Sequence, residues 1–146
     1  MISALMLGFA LQSAAPLPTP QSLRAIDVRA PHATLHLQVA FSEAQRERGL
    51  MGVMRLPPRT GMVFVFEKDG PVAFWMKDTP VALDMIFVSR SGVVRKIFSG
   101  VPVVPLWLPD TDIPLERGEG KYVIELPAFE ARADGLRVGS VLHGLP

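Results

Sequence analysis

The chain contains no cysteine. Disulfides, thiol nucleophiles, thiolate metal sites and a cysteine-linked lipid anchor are all removed by that one absence. Runs of like charge are missing as well. The net charge is +1 and no basic stripe interleaved with aromatics occurs, so no nucleic-acid partner is expected. There is no nucleophile elbow, phosphate-cradling glycine loop or His-x-x-x-His helix. His32, His36 and His143 are too scattered to form a recognisable ligand set, and no cofactor is implied. What remains is an apolar chain: 49 % of its 146 residues are hydrophobic and 20 % charged, which suits one globular domain with a real core. Fourteen prolines favour strand edges and loops over a helical bundle.

Residues 2–15 carry no charge, are rich in Ile, Leu, Met, Phe and Ala, and end in Ser13-Ala14-Ala15 before a proline-rich stretch. The run is short for a bilayer span, which takes about 20 residues, and it reads as a cleaved secretory signal over 1–15. That predicts a periplasmic or secreted protein with no transmembrane anchor after cleavage. Residues 16–30 read as a flexible proline-rich tether, and 31–146 as a single, monomeric β domain.

Within that domain Thr34 to Val39 alternates apolar and polar residues as a half-buried strand does. Ser42 and Gln45 form a capping box at the head of a short helix that Gly49 stops. Met62 to Phe66, Val72 to Met76, Leu83 to Val88, Val93 to Phe98, Lys121 to Leu126 and Val138 to His143 read as further strands. Lys68-Asp69-Gly70 and Arg90-Ser91-Gly92 supply turns, and Pro127 to Asp134 a second short helix. No repeated strand–helix–strand unit of sufficient length is readable. The expected fold is therefore mostly β: a compact antiparallel β-barrel or sandwich of about seven short strands with two short helices.

Three blocks, Arg48-Gly49-Leu50-Met51, Gly61 to Phe66 and Phe74 to Phe87, with a weaker fourth at Tyr122 to Leu126, resemble the bacterial family known as domain of unknown function 192. The likeness runs from Leu35 to Leu142. It implies a small, predominantly β domain, often behind a signal peptide, with no known substrate or cofactor. Two positions depart from the family pattern: Asp78 stands where Asn is usual, and Ser140 where an acidic residue is common. The cysteines that some members carry in the late loop are also absent here.

The candidate site residues cluster in the third block. Asp84 sits inside an apolar strand, where a carboxylate must find partners or lose its charge. It is either a structural acceptor, for Arg48 or for the Lys77–Thr79 backbone, or a general base or ligand anchor. Lys77, Asp78 and Thr79 form a polar loop, the usual place for binding residues on a β scaffold, or an ordinary turn before Pro80. Trp75 is core or, if exposed beside Lys77, a stacking platform. Met51, Met54, Met62, Met76 and Met85 offer soft ligands for Cu(I), or adaptable core filler. The leading expectation is a non-catalytic binding or accessory module for a small molecule, glycan or envelope protein, using Trp75, Lys77, Asp78, Thr79, Asp84 and Arg48. A carboxylate-dependent hydrolase or lyase acting on an envelope polymer is the alternative, with Asp84 and Asp78 or Glu125 as acid and base. It requires two of these carboxylates about 5–10 Å apart in one pocket.

Overall fold

The computed structural model describes residues 15–146. The expected signal segment, apart from Ala15, lies outside the described residues. The strands are β1 (Ala25–Arg29), β2 (Thr34–Ala40), β3 (Thr60–Phe74), β4 (Leu83–Val88), β5 (Val94–Val101) and β6 (Glu116–Pro127). Helix α1 (Glu43–Arg48) follows β2, α2 (Glu130–Ala133) follows β6, and a single 3-10 turn spans Asp110–Asp112. The six strands form one sheet in the order β1-β2-β3-β6-β4-β5.

The fold is mostly β with two short helices, as expected, but its details correct the reading above. The six-stranded sheet is mixed and is not closed into the expected antiparallel barrel: β2 and β3 run parallel, while β1 and β5 lie at opposite ends of the strand order. A parallel neighbour needs a crossover, and residues 41–59, with α1, supply it. The segments 62–66 and 72–76 are not two strands. Residues 62–66 and 72–74 belong to one strand, β3, which ends at Phe74 and leaves Trp75 and Met76 outside it, and which keeps pairing with β6 across a register shift between Val65 and Gly70, so the Lys68-Asp69-Gly70 turn signal marks a bulge. Residues 138–143 contribute only isolated bridges, Val93 to Val141 and Arg29 to His143. Residues 25–29, assigned to the tether, form β1 against β2, because Val28 is buried in the core. Upstream, Gln21 Nε2 donates to the carbonyls of Gln45 and Gly49 at 2.9 Å, which holds the proline-rich stretch against α1.

Both faces of the sheet are covered. Every residue of β4 is buried, which explains its nearly unbroken apolar run. One face packs Val63, Val65, Ile86, Val88, Ile124 and Leu126 under α2 and the C-terminal segment. The other gathers Met62, Phe64, Met85, Phe87 and Val123 with Leu50 and Met76. There the rings of Phe64 and Phe74 meet edge-to-face at 4.8 Å, and Phe74 and Phe87 at 6.2 Å, the geometry aromatic quadrupoles favour. Fully burying a side chain such as Phe87 is worth about 1.5–3 kcal/mol. Gly61 is required by close approach: a Cβ there would lie 1.9 Å from the carbonyl oxygen of Glu125.

Candidate functional site

Strand β6 runs between β3 and β4, and Glu125 lies opposite Met62 on one side and Met85 on the other. Since Tyr122, Ile124 and Leu126 fill the α2 face, pleating sends Glu125 to the opposite one. The residue is 4 % exposed, and among the described residues no donor hydrogen-bonds its carboxyl. Burial alone pushes its pKa from 4.5 up to about 8. At neutral pH it is therefore an un-ionised acid with an O–H to donate.

The carboxyl is not sealed in. It lines a narrow well of about 30 Å³, together with Leu50, Phe64, Phe74, Thr79 and residues of α1. A wider cleft of about 630 Å³ shares Arg46, Glu47, Met51, Phe74, Trp75 and Lys77 with the well, and adds Glu43, Phe66 and Ala73. One wall is α1, placed by its capping box: the Ser42 hydroxyl accepts from Gln45 N at 3.2 Å and Gln45 Oε1 from Ser42 N at 3.0 Å. Gly49, at φ +45°, turns the chain back from the helix. Arg46 donates to the carbonyls of Phe41 and Val65 and lies 5.1 Å over the Phe66 ring. Arg48 reaches the carbonyl of Thr19.

The facing wall is the segment after β3. Trp75 is 37 % exposed, so it stands at the cleft and is not core. Lys77 Nζ lies 5.3 Å over its ring and bonds Asp110 Oδ2 at 2.5 Å, which holds the ammonium's pKa above its ordinary value. The Thr79 hydroxyl donates to the Lys77 carbonyl at 2.9 Å. Asp78 adopts φ +49°, a left-handed conformation that Asn and Asp tolerate best, and its carbonyl accepts from Gly52 N at 2.8 Å. It does not line the well.

Asp84 occupies the other face of the sheet. It pairs with Leu126 and is wholly buried. One carboxylate oxygen accepts from Gly100 N and Phe129 N, each at 2.8 Å, and from Ser99 Oγ at 3.3 Å. The second accepts from Ala131 N at 2.9 Å. Its partners are thus neither Arg48 nor the Lys77–Thr79 backbone. Gly100 and Phe129 both have positive φ, +63° and +68°, so Asp84 ties down two left-handed corners and the first turn of α2.

Met62, Met76 and Met85 are buried in the core and line neither well nor cleft. Met54 is exposed, leaving Met51 alone at the cleft. The three sulfurs at a surface that Cu(I) handling requires are not assembled. Among the described residues no three His, Asp or Glu side chains are grouped to hold a metal ion. Arg46, Glu47, Phe66 and Phe74 escaped the sequence reading, since nothing in local spacing shows that α1 folds over the end of β3.

The chain belongs to the DUF192 family, described as "Uncharacterized ACR", whose model matches residues 25–144. Two solved structures are similar to it. A Sinorhizobium meliloti 1021 protein, described as a candidate transcription regulator, shares 30 % identity with a TM-score of 0.74, over 86 % of this chain and 98 % of its own. A Novosphingobium aromaticivorans DSM 12444 protein of unknown function shares 25 % identity with a TM-score of 0.72, over 90 % of this chain and 94 % of its own. No curated protein matches.

Proposed function

We propose that this protein is a binding module of the cell envelope that seats a small molecule between α1 and the Trp75–Thr79 segment, above Glu125. One observation carries the reading: the carboxyl of the buried Glu125, which no described residue hydrogen-bonds, opens into a well whose walls bear the Trp75, Lys77 and Thr79 block. An apolar cleft with a few convergent polar groups and one strongly perturbed acid is the usual form of a ligand site. Export is inferred from the uncharged, Ala-ended segment 2–15.

The alternative of a carboxylate acid–base pair draws no support from the sheet. Asp84 and Glu125 face opposite sides of it, and Asp78 serves a turn. Transcription regulation, the description attached to the Sinorhizobium protein, is not favoured by a chain of net charge +1.

The test is thermal unfolding against a panel of small aromatic and sugar compounds. A ligand at 100 times its Kd stabilises by about 2.7 kcal/mol, a shift of roughly 10 °C. The shift is expected to vanish in Trp75→Ala and survive in Trp107→Ala, whose side chain is 76 % exposed and lines neither well nor cleft. No shift with any compound, or one unaffected by Trp75→Ala, overturns the proposal.

A further inference from the structure

The chemistry around Glu125 narrows the ligand class; this step rests on the cleft reading above. We infer that the cleft selects an aromatic or apolar molecule ending in a hydrogen-bond acceptor, a carboxylate or carboxamide, whose oxygen enters the well and accepts from Glu125.

Three observations carry it. The well, at about 30 Å³, has room for one small polar group and no more. The wider cleft is walled by Met51, Phe66, Phe74 and Trp75, which suits a ring or a short apolar body. The charged groups lining the well are Arg46, Arg48 and Lys77 against Glu47, with Glu43 farther out in the cleft and Asp110 paired to Lys77. No charged residue comes from the facing strands, since Met62 and Met85 stand beside Glu125. Of the charged groups that line the well itself beside Glu125, three are cations and one, Glu47, is an anion, which favours an oxygen acceptor over a ligand ammonium. An oxygen acceptor instead gives the protonated Glu125 carboxyl, which no donor or acceptor among the described residues engages, a hydrogen-bond partner at the base of the well.

The affinity then depends on Glu125 keeping its proton. With its pKa near 8, about a tenth of the molecules are still protonated at about pH 9, so binding weakens roughly tenfold from its value at about pH 6.

The experiment follows the indole N–H resonance of Trp75, assigned with Trp75→Phe, during titration with three probes that share one ring: phenylacetate, phenylacetamide and phenethylamine. Phenylacetate and phenylacetamide are expected to bind at about pH 6 and about tenfold more weakly at about pH 9. In Glu125→Gln the phenylacetamide affinity is expected to lose this pH dependence, because a carboxamide donates at both values. Preferential binding of phenethylamine, or acceptor binding with no pH dependence in the unmodified protein, overturns the acceptor class and leaves the cleft standing. Silence of the Trp75 resonance with all three probes overturns the cleft reading and this inference together.

Discussion

Asp84 and Glu125 lie one register step apart on neighbouring strands, yet they face opposite sides of the sheet: Asp84 pairs with Leu126, and Glu125 with Met85. The pleat gives the two buried carboxyls unrelated roles. Asp84 is saturated by donors and ties β4 to β5 and α2. Glu125 has no donor among the described residues and opens into the cleft.

Asp84→Ala leaves Gly100 N, Phe129 N and Ala131 N without their acceptor. The expected cost is about 3 kcal/mol or more, measured by urea unfolding. Asp84→Asn presents an amide where Ala131 N needs an acceptor and is expected to lose about 1–3 kcal/mol. A change below half a kcal/mol in both variants removes Asp84 as the fastener of these corners.

The pH dependence of stability follows from Glu125. Its folded pKa, about 8, is raised above the ordinary 4.5. The folded state therefore holds a proton that the unfolded chain has lost across that window. Stability from this group is complete below about pH 4.5 and declines as pH rises through 8, by about 1.4 kcal/mol per pH unit. Relative to the unmodified protein, Glu125→Gln is expected to gain stability steadily from pH 5 to 8, an expectation read from denaturant midpoints across that range. A constant difference between the two proteins contradicts it.

Gly61→Ala forces a methyl group onto the Glu125 carbonyl, which is backbone and has little room to yield. A loss of about 2–4 kcal/mol is expected, with the Glu125 register disturbed. Thermal unfolding of the variant measures it, and near-neutral behaviour contradicts the tight β3–β6 approach.

Asp78 sits at φ +49°, so backbone conformation governs what it tolerates. Asp78→Asn and Asp78→Gly are expected to change stability by less than about 0.5 kcal/mol, while Asp78→Val costs about 1–2 kcal/mol. Equal effects of Asn and Val substitution in thermal unfolding contradict this.

Local signals were readable wherever a residue answers to its chain neighbours. The Ser42–Gln45 capping box, the Gly49 stop, the Arg90-Ser91-Gly92 turn and the alternation of Tyr122, Ile124 and Leu126 all appear where spacing puts them. Non-local choices were hidden. Lys68-Asp69-Gly70 carries turn chemistry, yet pairing with β6 keeps β3 continuous across it. Ile26 and Val28 are too brief an alternation to announce β1. Asp84 drew attention because it interrupts an apolar run, while Glu125, in an equally apolar strand, gained its distinction only from what packs above it.

The measurement that bears most directly on the site is the titration of Glu125 itself, followed through its side-chain carboxyl carbon resonance and assigned with Glu125→Gln. A transition near pH 8 establishes a buried, un-ionised acid at the base of the cleft. A transition near the ordinary 4.5 means that the carboxyl is ionised at neutral pH, and a well floored by a hydrogen-bond donor does not exist.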